Sequence, residues 1–102
     1  MTRRHEIQKR GVDVDPGKRP LIVDIVFLSD LQHWIQNDRA VAMRLTRLML
    51  EISRDPFTGT GKPEPLKHSL HGHWSRRLTH EHRMIYAVTE KAIQFLTARF
   101  HY

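Results

Sequence analysis

Cysteine is absent from this 102-residue chain, which rules out a disulfide framework, a thiolate zinc cluster and a cysteine nucleophile. Long apolar runs are lacking as well. The first of them, Leu21 to Leu28, is short and broken by Asp24, so it cannot span a bilayer, and no apolar stretch follows Arg3 and Arg4 to make an export signal of them. A cytoplasmic setting without a membrane partner is the expectation. Also missing are a glycine-rich phosphate loop ahead of a helix, a G-x-S-x-G elbow and an H-E-x-x-H metal helix. The ordinary signatures of nucleotide binding, serine hydrolysis and zinc peptidases are thereby excluded.

What is present is cationic charge. Lys and Arg number 17 against 11 Asp and Glu, giving a formal net charge of +6, and polyanions come to mind as partners. About half of that excess, however, lies in residues 1–20, so composition leaves the question to placement. Residues 1–20 mix charges with Gly11, Pro16, Gly17 and Pro20 and lack apolar periodicity. They read as a flexible basic tail, and residues 21–102 as a single domain. The 39% hydrophobic and 27% charged fractions are those of a folded chain.

Two kinds of periodicity divide that domain. After a short strand at Leu21, Ile22 and Val23, Asp24 can cap a helix whose Phe27, Leu28, Leu31, Trp34 and Ile35 recur at helical spacing. A second helix, about Arg39 to Ser53, places Val41, Leu45, Leu48, Met49 and Ile52 on one face, turns Arg44, Arg47, Glu51 and Arg54 mostly to water, and ends at Asp55-Pro56. The stretch Thr58 to Pro65 is a loop punctuated by Gly and Pro. Strands follow at about Trp74 to Leu78, Met84 to Val88 and Ala92 to Phe100, joined by turns short enough for antiparallel neighbours. The expected class is α+β: two N-terminal helices packed on a small twisted antiparallel sheet.

Four histidines, His71 with His73 and His80 with His82, are spaced two apart, so each pair can share a strand face. With no thiolate beside them, they read as surface histidines on a polyanion-binding face, and no metal or cofactor is expected. More informative are Glu64, Arg83 and His101, surrounded by Lys67, Arg76, Arg77 and Arg99. Cleaving RNA without a metal needs a base for the 2′-hydroxyl, a cation for the charge developing on phosphorus, and an acid for the leaving 5′-oxygen. A glutamate, an arginine and a histidine supply these in turn. Spacing alone leaves a nuclease as one option among several, because the hairpin register decides whether Arg83 comes near His101.

The runs Pro56-Phe57, Gly59-Thr60-Gly61-Lys62-Pro63-Glu64-Pro65-Leu66-Lys67-His68, Trp74-Ser75-Arg76-Arg77, Glu81-His82-Arg83-Met84-Ile85-Tyr86-Ala87-Val88 and Arg99-Phe100-His101-Tyr102 occur in one order. Together they resemble the YoeB/Txe toxin family of the RelE-like superfamily, over about residues 21–102 and including Trp34. The resemblance implies a RelE/YoeB-like fold and a toxin of a type II toxin-antitoxin system that cleaves mRNA in the ribosomal A site. It further implies inhibition by a YefM/Axe-like antitoxin and assembly as a homodimer or toxin-antitoxin hetero-oligomer. By resemblance, Glu64 is the general base, Arg83 the transition-state stabiliser and His101 the general acid. Tyr102 helps to hold RNA, and Lys67 and Arg77 match family positions that contact phosphate or support the site; Arg76 and Arg99, basic residues of the same cluster, are counted with them as RNA or phosphate contacts. His73 and Phe100 depart from the family pattern, at positions often aromatic and often tyrosine. A ParE-like gyrase poison or a basic ribosome-binding protein on the same fold is the alternative, and either would need the basic face without Glu64 or His101.

Overall fold

A computed structural model describes residues 19–67 and 72–100. Its elements are β1 (Leu21–Val23), α1 (Ile25–Asn37), α2 (Arg39–Arg54), β2 (Glu64–Pro65), β3 (His73–Arg77), β4 (Arg83–Val88) and β5 (Ile93–Thr97). One aspartate makes the corner between the helices. The Asp38 N–H closes α1 on the Trp34 carbonyl at 2.7 Å, while its carboxylate caps α2 by accepting the Val41 N–H at 3.3 Å. Asp24 stands at the start of α1 as expected but does not cap it. Its carboxylate accepts from the Gln94 side chain at 2.7 Å and so ties the helix start to β5.

The strands form one sheet in the order β1-β5-β4-β3-β2. The β3, β4 and β5 meander is antiparallel, as its short turns require, but β1 runs parallel to β5, pairing Leu21 with Ile93 and Val23 with Phe95. The sheet is therefore mixed rather than wholly antiparallel, because the chain returns to β1 only after both helices and three strands. A register shift between Ile85 and Tyr86 pairs them with Thr97 and Phe95 and leaves Leu96 over, a β-bulge. Beyond it β5 stops at Thr97, short of the Phe100 expected from the sequence.

Helical and strand periods meet in one core. Phe27 and Trp34 of α1 and Ala42, Leu45, Leu48 and Ile52 of α2 pack with Met84, Tyr86, Ile93 and Phe95 from one face of the sheet. The Phe27 and Phe95 rings are tilted against each other at 5.3 Å. Leu28 and Ile35, expected in this stripe, are 51% and 57% exposed; the inward face of α1 is narrower than its apolar stripe, and the buried Asp30 occupies part of it. Arg44 does not project freely into water. Its Nε donates to the Leu78 carbonyl at 2.6 Å, tying α2 to the end of β3.

Residues 1–18 of the expected tail lie outside the described residues, but its last two belong to the body. Arg19 donates to the Thr89 carbonyl at 2.7 Å, and the Pro20 carbonyl accepts from Ile93 at 3.0 Å. Among the described residues no helix is long and apolar enough to cross a membrane. Fully burying a leucine stabilises a fold by about 1.5–3 kcal/mol, and truncation adds a cavity cost. Leu45→Ala should therefore lower the unfolding free energy by about 2–5 kcal/mol, and Ile35→Ala by less than about 0.5 kcal/mol, measured by urea denaturation.

Candidate active site

The segment that delivers Glu64 is fastened before it reaches the sheet. Pro56 stops α2, and the Asp55 carboxylate turns the chain by accepting from the Phe57 N–H at 3.0 Å and the Thr58 hydroxyl at 2.6 Å. Under this turn lies Arg76, with no exposed surface. Its guanidinium donates to the carbonyls of Asp55, Thr58 and Thr60 at 2.9, 2.8 and 3.2 Å, to Tyr86 Oη at 3.1 Å, and to Glu51 Oε1 at 3.1 Å. The Tyr86 hydroxyl in turn donates to the Pro56 carbonyl at 2.7 Å, and Glu51 accepts the Thr60 N–H at 2.5 Å. A buried cation is tolerated only with such a set of acceptors.

The loop then meets β3 at Gly61, whose carbonyl accepts the Arg77 N–H at 2.7 Å. A side chain could not stand there. Gly61 has φ +87°, and a Cβ would lie 2.8 Å from the Arg77 carbonyl oxygen. Three residues later the chain pairs as β2, with Glu64 opposite Ser75 and Pro65 opposite Trp74. Glu64 is thus strand-borne at the sheet edge rather than in a free loop.

Alternation along β3 sorts the remaining residues. Trp74, Arg76 and Leu78 face the helices, whereas Ser75 and Arg77 face the other way. Directly paired residues share a face, so the open side of the sheet carries Glu64 beside Ser75, and Arg77 beside its partner Arg83. Ser75, itself buried and paired with Glu64 across the ladder, accepts from Arg83 Nη1 at 3.2 Å. Two arginines directly opposite each other cost a sheet about 0.2–1 kcal/mol. Among the described residues neither has a carboxylate partner; the ion pair is Arg76 with Glu51. Beyond them, Arg77, Thr79, His80, Glu81 and Arg83 line a polar hollow of about 220 Å³ at the hairpin end.

Residues 98–100 reach the same hairpin end. Asp30 and Trp34 of α1 hold Ala98, the carboxylate accepting its N–H and the indole donating to its carbonyl, each at 2.9 Å. The Phe100 carbonyl accepts the Arg83 N–H at 2.8 Å. His101 and Tyr102, the expected acid and RNA contact, lie outside the described residues, as do His68 and His71.

Glu64, Arg77 and Arg83 therefore come together on one face, and Lys67 is exposed just past β2. Arg99 is half-buried with its guanidinium 4.8 Å from the Phe100 ring centre. Arg76 is the correction. The sequence reading counts it among the phosphate contacts, yet it faces the core with its guanidinium given over to protein acceptors, so it is not offered to RNA. Ser75 was not singled out by sequence, although its place two residues before Arg77 marks it for the same face.

Two helices over one face of a small five-stranded mixed sheet form the RelE-like fold of small bacterial toxins. A family model for the YoeB-like toxin of bacterial type II toxin-antitoxin systems matches residues 24–102. The toxin YoeB of Escherichia coli K12 is 45% identical over 73 residues, 72% of this chain and 87% of that protein. The YoeB dimer from Staphylococcus aureus aligns with a TM-score of 0.75 at 32% identity, covering 83% of this chain and 99% of that one. The YoeB-YefM complex from the same organism aligns at 0.71 and 31% identity with the same coverage. This chain belongs to the YoeB family of toxins.

Thr60, first through its backbone N–H and then through its side chain, and after it the Arg76 guanidinium, hold the Glu51 carboxyl below its usual range against the opposing effect of burial. A depressed carboxyl pKa stabilises the fold above the unfolded value, and that contribution is lost as pH falls through the folded value. Wild type should lose stability on acidification from about pH 5 to pH 3, and Glu51→Gln should lose less over the same window, measured by urea unfolding at each pH.

Proposed function

We propose that this protein is a ribosome-dependent endoribonuclease that cleaves mRNA in the A site and so arrests translation. Glu64 takes the proton of the 2′-hydroxyl, whose oxygen attacks the adjacent phosphorus. Arg83, with Arg77 beside it, holds the non-bridging oxygens as negative charge grows on them. His101 protonates the departing 5′-oxygen, leaving a 2′,3′-cyclic phosphate on one fragment and a 5′-hydroxyl on the other. Lys67, Arg99 and Tyr102 hold the RNA on either side. No metal enters this scheme, and the ribosome supplies the substrate's orientation.

The observation that carries this reading is the shared open face of Glu64 and Arg83, with Ser75 paired to the first and hydrogen-bonded to the second, and a second arginine opposite Arg83. A base and a phosphate-binding cation on the two strands that flank β3 in one sheet are held rigidly enough to act on one phosphodiester. Phe100, to which His101 is bonded, is itself hydrogen-bonded to the Arg83 backbone, which supports the third role. The S. aureus relative is described as a dimer and in complex with YefM. By that likeness the present chain works in the cytoplasm under the control of a YefM-like antitoxin and forms a homodimer or a toxin-antitoxin hetero-oligomer.

On ribosomes programmed with a defined mRNA, Arg83→Ala and His101→Gln should each slow single-turnover cleavage by at least about 100-fold while keeping the wild-type melting temperature and antitoxin binding. Undiminished cleavage by both variants would overturn the assigned roles. DNA damage with intact mRNA in cells expressing the toxin would replace the reading by gyrase poisoning.

A further inference from the structure

Phe100 adopts φ +62°, a left-handed conformation that a residue with a side chain seldom takes unless its surroundings hold it. Phe100 is 62% exposed, so its ring is not what the core selects. The holding comes from its backbone. The N–H donates to His82 Nδ1 at 2.6 Å, and the carbonyl accepts the N–H of Arg83 at 2.8 Å. Two adjacent residues at the start of β4 thus grip both polar groups of one peptide-linked residue. Accepting at Nδ1 places the neutral ring's proton on Nε2, and the ring is set edge-on against buried Trp34 at 4.8 Å. Trp34 also donates to Ala98, two residues before Phe100, so ring and chain end rest on the same support.

We propose that His82 is a positioning residue for the chain's terminal catalytic group. Its Nδ1 holds the left-handed turn at Phe100, the residue to which that group is bonded and whose carbonyl is held by the Arg83 backbone. The inference rests on His101 being the general acid, as proposed above. Misplacing a reacting group by about 1 Å slows a reaction about 100-fold without weakening substrate binding, which separates positioning from RNA contact.

The test uses the full chain in single-turnover cleavage on programmed ribosomes. His82→Phe keeps a ring against Trp34 but has no acceptor; His82→Asn loses the ring but offers an oxygen near the place of Nδ1. His82→Phe should lower the maximal cleavage rate by about 10- to 100-fold with the half-saturating ribosome concentration unchanged, and His82→Asn should recover most of the loss. Combined with His101→Gln, His82→Phe should add less than about twofold, because its effect passes through the group already removed. Phe100→Pro, which deletes the donor and forbids the left-handed turn at an exposed position, should reproduce the loss even if His82→Phe does not fold. A wild-type rate in Phe100→Pro or in folded His82→Phe would overturn the proposal, as would an equal loss on the His101→Gln background. If His101→Gln itself cleaves normally, the proposed acid falls and this inference with it. If His101→Gln is defective and Phe100→Pro is not, only the inference falls.

Discussion

A guanidinium with no exposure to water, that of Arg76, determines how the open face of this protein is built. Removing that charge from solvent is costly, and the cost is offset only because three loop carbonyls, a tyrosine hydroxyl and the Glu51 carboxylate converge on it. The same bonds leave the segment between α2 and β2 little freedom, so β2 meets β3 in a fixed register. Since β3 alternates, fixing Arg76 inward fixes Ser75 and Arg77 outward. The open face is thus a consequence of how the core is satisfied on the other side of one strand.

The open face is assembled from β2, β3 and β4, joined by backbone ladders rather than carried on mobile loops. Ser75 contributes by its size as well as its hydroxyl. It is small enough to lie between Glu64 and Arg83 while giving the latter an acceptor. Arg77 and Arg83 repel each other across the ladder, and an anion between them relieves that repulsion. Two facing arginines of this kind suit the polyanionic substrate proposed for this face.

Much of this was legible in the sequence, and what was not has definite causes. The 3.6-residue spacing of Leu45, Leu48 and Ile52 locates α2 to within a residue of its end, and Asp38 and Pro56 bound it. The meander is equally plain from its turns. By contrast, β2 is two residues long and includes a proline, so no periodicity can announce it. The parallel pairing of β1 with β5 depends on contacts about 70 residues apart, which spacing does not encode. Arg76 and Arg77 look alike as neighbours, yet the signal that separates them is present: Trp74 and Leu78 flank Arg76 at intervals of two, and an inward phase for them is an inward phase for it. Glu64 and Arg83 stand out in the sequence by the chemistry they offer and by the motifs they sit in, and the register that brings them to one face is visible only in the folded chain.

The central claim is that a base, a cation and an acid act on the 2′-hydroxyl and its neighbouring phosphate. The chemistry of the new mRNA ends tests it most directly. Cleaved mRNA recovered from programmed ribosomes should carry a 2′,3′-cyclic phosphate, or the 3′-phosphate to which it opens, on the upstream fragment and a 5′-hydroxyl on the downstream one. A 3′-hydroxyl facing a 5′-phosphate would mean that water, not the 2′-oxygen, attacked phosphorus, and the arrangement described for Glu64, Arg83 and His101 would be contradicted.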